Sequence, residues 1–216
     1  MSLDLSWLKP MLESWPKDKS VEPFKYDYPA CQKPHVQFVT SKTYLPKMAA
    51  ILDRLKPNHY GVIGCLLGTT ESYLLQVHGH HPRVIVCMDL DMPEYNPERD
   101  NGSYVYRNIC GTGFGNFQGR FVYIRANSKE TGIFQKICKY DVIFVDGEHT
   151  REAVLNDMAI ANSCLNKDGV ILIHDLDLHS SSVRDGYFAY LAAHPEYKHM
   201  EIPDSLFQLG LGVVWK

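Results

Sequence analysis

Two clusters of ionisable side chains stand where short apolar runs stop. Asp146, Gly147, Glu148 and His149 directly follow Val142-Ile143-Phe144-Val145, and His174 and Asp175, with Asp177 one residue on, directly follow Gly169-Val170-Ile171-Leu172-Ile173. Neighbouring carboxylates and imidazoles can orient a hydroxyl, accept its proton or hold a divalent cation. Two unpaired carboxylates so placed repel. The repulsion is relieved by protonating one, by recruiting a cation, or by turning one toward a basic side chain. A third group of residues suits an anionic ligand. Gly64 and Gly68 bracket a strand-to-helix turn where backbone amides face outward and a ligand can approach closely. Asp89, closing Val84-Ile85-Val86-Cys87-Met88, is suited to hydrogen-bonding both hydroxyls of a ribose. His78, His80 and His81 are ligand-type residues, but they fall in a turn at the opposite end of the elements and read as solvated.

The elements that must position these residues follow from periodicity. The apolar runs lack polar alternation, which predicts strands buried on both faces, as in a parallel sheet under helices. Between the two acid-tipped strands, Thr150 to Leu165 has helical spacing, with Ala153, Val154, Met158 and Ala161 on one side. This strand, helix, strand unit would set Asp146 beside Asp175. The crevice beyond the carboxyl ends of such strands is where a ligand is expected. Thr40 or Ser41 is read as the N-cap of a helix through Leu55 that Pro57 stops. Further strands are predicted at 60–64, 83–88 and 120–125, a helix over 180–193, and a hairpin from 198–202 and 210–215. Met92 to Gly119 is polar, tyrosine-rich and glycine-rich, and is expected as a long surface loop. Its Gly111 to Gly115 repeat follows no predicted strand, so the context of a phosphate loop is missing.

The chain has 216 residues, 45% of them hydrophobic, which supports one globular domain over 40–216 with an N-terminal arm over 1–39. The arm carries a short helix near Leu5 to Ser14 and is expected to act as a lid or as the contact of a homodimer. A net charge of −3 with no basic block removes the electrostatic case for nucleic acid or a membrane surface and favours a small-molecule partner. The six cysteines stand singly, at 31, 65, 87, 110, 138 and 164, which reads as reduced thiols in a cytoplasmic protein. The start has no basic flank before an apolar core, and no apolar run reaches membrane-spanning length.

On these residues the chain resembles a class I S-adenosylmethionine-dependent methyltransferase of the small-molecule O-methyltransferase group, which includes catechol and macrocin types. The likeness is carried by Phe144 to Asp157, with its Asp-Gly-Glu-His turn, and by Leu165 to Asp175, and it extends over 40–216. It implies a Rossmann-like, doubly wound α/β fold, a mostly parallel seven-stranded sheet whose last strand is antiparallel, with helices on both faces. It also implies S-adenosylmethionine as cofactor. Gly64, Cys65 and Gly68 would form the cofactor loop, with Thr69 and Thr70 at the methionine carboxylate. Asp89 would take the ribose, Asn127 and Ser128 the adenine edge, and Asp146 the floor beneath the methyl group. Asp146 and Asp175 match the carboxylates that hold Mg2+ or another divalent cation in metal-dependent members. His149 is the candidate base for the acceptor's hydroxyl, which makes Asp146, His149 and Asp175 the catalytic set. Two positions depart from the pattern. Val62 stands where an acid usually meets the cofactor's amino group, and Leu176 stands where the catechol type has Asn, so Asp177, Glu148, His149 or water would have to complete a metal site. Two other readings remain, a non-catalytic binding protein of the same fold and a nicotinamide oxidoreductase. The Gly64 turn lacks the Gly-x-Gly-x-x-Gly spacing of the latter.

Overall fold

The computed structural model describes residues 3–14, 44–66, 68–77, 80–90, 101–111, 116–130, 132–178, 182–203 and 210–216. Seven strands form one sheet: β1 His59–Ile63, β2 Val84–Asp89, β3 Arg120–Arg125, β4 Tyr140–Val145, β5 Leu165–His174, β6 Lys198–Ile202 and β7 Leu211–Trp215. Their order is β3-β2-β1-β4-β5-β7-β6. Pairings among β1 to β5 are parallel, and β7 runs antiparallel to both β5 and β6. The expected Rossmann-like sheet and its closing hairpin are both present. The chain winds outward from β1 to β3 and then returns to β4 on the other side of β1, so β1 and β4 flank the switch point where such sheets open a crevice.

Strand side chains alternate between two apolar layers, as the unbroken apolar runs require. Val62, Val142, Phe144, Val170 and Leu172 face one layer. It is covered by α1 Leu8–Glu13, α2 Tyr44–Leu55, α3 Thr69–Val77 and α4 Asn101–Cys110. Ile63, Ile143, Val145, Ile171 and Ile173 face the other. That side is covered by α5 Ile133–Ile137, α6 Arg151–Cys164 and α7 Val183–Ala193. Helix α6 starts where its sequence says it should, the Thr150 hydroxyl oxygen accepting the Ala153 N–H at 3.2 Å as an N-cap.

The stretch expected to be a loop over 92–119 contains α4. Val105 and Ile109, one turn apart and wholly buried, dock it on the first layer. That single apolar pair among tyrosines and polar residues is too sparse a period to read as a helix. Residues 91–100 and 112–115, including most of the glycine repeat, lie outside the described residues, as do the proposed caps at Thr40 and Ser41. Of the N-terminal arm, 3–14 are described. Leu5 and Leu8 are buried in the first layer, and the Arg54 guanidinium stands 5.6 Å from the Trp7 ring centre. Cys65, Cys87 and Cys164 are buried free thiols, as expected, and Cys31 lies outside the described residues. Among the described residues no helix is long and apolar enough to cross a membrane.

Candidate active site

The carboxyl ends of the first four strands are tied level by backbone bonds. Gly64 N–H donates to Met88 O at 2.8 Å, Asp146 N–H to Ile63 O at 2.8 Å, and Ala126 N–H to Asp89 O at 2.9 Å. Together they open into one cleft of about 360 Å³, within the size range of small-molecule pockets. Gly64, Cys65, Thr69, Thr70, Asp89, Asn127, Ser128, Asp146 and His149, singled out from sequence, all line it. Gly64 has φ +83°, and a Cβ there would lie 2.2 Å from the Asp146 carbonyl oxygen, so the turn after β1 can press against the end of β4 only as glycine. Gly68, with φ +67°, is not on the wall. Its bare backbone seats α3 against Val105 and Ile109 of α4, whose side chains a Cβ would meet at 3.1 Å.

Asp89 Oδ2 accepts the Leu66 N–H at 2.7 Å, fixing the glycine turn to the tip of β2. At the end of β3 the Asn127 side chain organises a turn: its Oδ1 accepts the Lys129 N–H at 3.0 Å and its amide donates to Glu130 at 3.2 Å. Across the cleft mouth Lys129 Nζ meets Glu148 Oε2 at 2.8 Å. Both groups are well exposed, so solvent screens the pair and its contribution is small.

The two acid clusters meet through a histidine. Val145 pairs with Ile173 in the β4/β5 register, so Asp146 comes opposite His174, and Asp175 lies one residue beyond. His174 Nδ1 donates to Asp146 Oδ1 at 2.9 Å and lies 3.0 Å from Asp175 Oδ1. Asp175 Oδ2 is 2.9 Å from His149 Nε2. The carboxylate repulsion is thus relieved by turning both acids toward basic side chains. Asp175 adopts a left-handed backbone, φ +61°, a conformation of order 1 kcal/mol or more in cost for a non-glycine residue and one often found at functional sites.

Burial would drive the His174 ring toward its neutral form, but Asp146 and Asp175 outweigh it and its pKa rises to about 9. For Asp175 burial again opposes, yet His174, then the hydrogen bond from His149, hold its carboxyl well below the usual carboxylate range. The same hydrogen bond to Asp175 lifts His149 above its ordinary value. A histidine whose pKa is raised by folding stabilises fully below its unfolded value of 6.5, and that stability is lost as pH climbs through the folded value near 9. At about 1.4 kcal/mol per pH unit the loss is on the order of 3 kcal/mol. The thermal midpoint should therefore fall between pH 6.5 and 9, and His174→Gln should flatten the fall. A wild-type midpoint that rises over that interval would contradict this account of His174.

Asp146, His149 and Asp175 each offer a ligand atom, all within 4.8 Å of one another. Of the side chains that could complete a metal site, His149 is the one that joins the acids. Asp177 Oδ1 is 3.0 Å from Arg184 Nη1, and Glu148 is paired with Lys129. Two carboxylates and an imidazole are a donor set that fits a divalent cation, and the nitrogen suits Mn2+, Fe2+ or Zn2+ better than Mg2+. His80 and His81 were expected to be solvated, but their rings bond the carbonyls of Pro57 and Leu75 at 3.0 and 2.8 Å and tie down their turn, while His78 lies outside the described residues.

The sequence offers one further wall residue, Glu71, as an acid that could serve the cofactor's amino group where Val62 cannot. Glu71, in the first turn of α3, is 2% exposed, and neither carboxylate oxygen has a hydrogen-bond partner among the described residues. An acid in a first helical turn reads as a favourable dipole contact, and nothing in its neighbours' types announces that it is buried.

A family model described as a methyltransferase domain matches residues 62–176, from the end of β1 through both acid clusters. Among solved structures, the O-methyltransferase from Bacillus cereus in complex with S-adenosylhomocysteine is similar with a TM-score of 0.62 at 14% identity, over 81% of each chain. A methyltransferase from Podospora anserina bound to S-adenosylhomocysteine gives 0.60 at 17% identity, over 86% of this chain and 83% of that one. The O-methyltransferase of tomaymycin synthesis from Streptomyces achromogenes, in complex with S-adenosylmethionine, gives 0.58 at 11% identity, over 78% and 77%. At these identities the likeness is one of fold. No curated protein sequence matches the chain.

Proposed function

Because the chain belongs to the methyltransferase-domain family that its residues 62–176 match, we propose that it transfers a methyl group from S-adenosylmethionine to a hydroxyl of a small molecule. The observation that carries the reading is the common cleft at the β1/β4 switch point, lined by Gly64, Thr70, Asp89, Asp146 and His149. The glycine turn leaves room for a ligand against the backbone, and the start of α3 at Thr69 and Thr70 favours the methionine carboxylate. Asp89 takes the ribose hydroxyls, Asn127 and Ser128 flank the adenine edge, and Asp146 lies beneath the methyl group.

S-adenosylmethionine supplies an electrophilic methyl group. The protein's part is to hold the acceptor oxygen in line and to remove its proton. The His149 ring donates through Nε2 to Asp175, which leaves its Nδ1 as the atom that takes that proton. The oxygen–methyl bond forms as the sulfur–methyl bond breaks, S-adenosylhomocysteine leaves, and the hydroxyl proton ends on the imidazole. A second reading is favoured by the spacing of Asp146, His149 and Asp175, which would hold a divalent cation to acidify and orient the hydroxyl. The protein is taken to work in the cytoplasm, with residues 1–39 as a lid or dimer contact.

Asp89→Ala tests the cofactor half. It removes the ribose acceptor together with the tie to Leu66, and should weaken S-adenosylhomocysteine binding by about 1.5–3 kcal/mol, roughly 10- to 100-fold. Calorimetry that finds the affinity unchanged would take Asp89 out of the site.

A further inference from the structure

We infer that Glu71 is the counter-ion of the cofactor's amino group, turning from its buried position into the cleft when the cofactor binds. The inference rests on the methyltransferase reading above. Glu71 is part of the cleft wall and immediately follows Thr69 and Thr70, where the methionine carboxylate is placed. The amino group sits on the carbon next to that carboxylate, so an acid one residue along the same helical turn is within its reach.

Among the described residues, nothing around Glu71 offers it a cation. Its oxygens are covered and unbonded among the described residues. The titratable groups that face it are anions or weak acids: Asp89 at the tip of β2, Asp146 after β4, the phenols of Tyr44 on α2 and Tyr60 on β1, and the thiols of Cys65 and Cys87. Among the described residues, the lysine of the cleft wall is Lys129, and it is engaged with Glu148. On β1 the side chain in the same layer is the apolar Val62, so that strand supplies no acid to meet a cation. A buried carboxyl without a partner is costly to ionise, and a fixed cation brought by a ligand is what it lacks.

A protonation change accompanies the pairing. Burial, with Asp146 and Asp89 adding to it, pushes the Glu71 carboxyl up to about 8, so the empty protein holds it mostly protonated at pH 7. An ammonium partner favours the carboxylate, and the proton is released to solvent as the ligand binds. A ligand without the amino group triggers no such release.

The test compares S-adenosylhomocysteine with 5′-methylthioadenosine, which lacks both the amino group and the carboxylate, by calorimetry in two buffers of different ionisation enthalpy at pH 7. Wild-type protein should release close to one proton with the first ligand and essentially none with the second. Glu71→Gln should weaken S-adenosylhomocysteine about 10- to 100-fold, leave methylthioadenosine unchanged and abolish the proton release. Its thermal midpoint should match or exceed the wild type at pH 8, since an uncharged amide replaces a buried acid. If the variant does not fold, the wild-type proton count decides alone. Tight S-adenosylhomocysteine binding without proton release, or an equal loss for both ligands in the variant, overturns the inference and leaves the methyltransferase reading standing. Absence of S-adenosylhomocysteine binding to the wild type overturns both.

Discussion

His149→Ala should lower methyl transfer by about 10²- to 10⁴-fold while leaving S-adenosylhomocysteine affinity nearly unchanged. The imidazole stands on the cleft wall with its Nε2 held by the buried Asp175, an arrangement that orients a base and strengthens it. Strengthening has a cost in pH. The hydrogen bond to Asp175 raises His149 above its ordinary value of 6.5, and only the neutral ring accepts a proton. The rate should therefore climb with pH along a limb whose midpoint lies above 6.5. His149→Ala should lose that limb, and Asp175→Asn, which removes the charge that lifts the ring, should move it to lower pH. Where a cation sits on the same three side chains, chelation should abolish activity, and excess metal should partly restore the Asp175→Asn variant. Full activity of His149→Ala across pH 6 to 9 would exclude the histidine from both roles.

The second large effect concerns the backbone. Gly64→Ala should destabilise the protein by more than about 4 kcal/mol or prevent its folding. Its Cβ would stand 2.2 Å from the Asp146 carbonyl oxygen, and that oxygen belongs to backbone that cannot rotate away without parting β1 from β4. Gly68→Ala provides the contrast. It too has a positive φ, but its Cβ would meet the flexible ends of Val105 and Ile109 at 3.1 Å, so a loss of about 1–2 kcal/mol is expected, mainly from backbone strain. Chemical denaturation of the two variants should separate them clearly. Equal stability would mean that the Gly64 turn can move off β4.

The two acid-tipped strands were legible because their apolar runs admit no other arrangement: a strand buried on both faces can carry charge only at its ends. The glycine turn and Asp89 were legible from their position after such runs. The meeting of Asp146 with His174 was not, because it depends on the pairing of Val145 with Ile173, and a buried strand without alternation carries no mark of its register. For the same reason the sequence assigned His174 no role in the site, while the structure sets its Nδ1 against both carboxylates. Helix α4 was missed because its docking face consists chiefly of Val105 and Ile109. Helix α5 is a short turn held by Phe134, whose ring stacks on Tyr140 at 4.7 Å, a contact between side chains whose partner is set by the fold.

What the β1/β4 cleft binds is tested most directly by thermal denaturation with and without ligand. S-adenosylhomocysteine at a hundredfold excess over its dissociation constant should stabilise the folded protein by about 2.7 kcal/mol, seen as a concentration-dependent rise of the midpoint, and NAD at the same concentration should leave the midpoint where it is. No rise with S-adenosylhomocysteine, or an equal rise with NAD, would contradict the account.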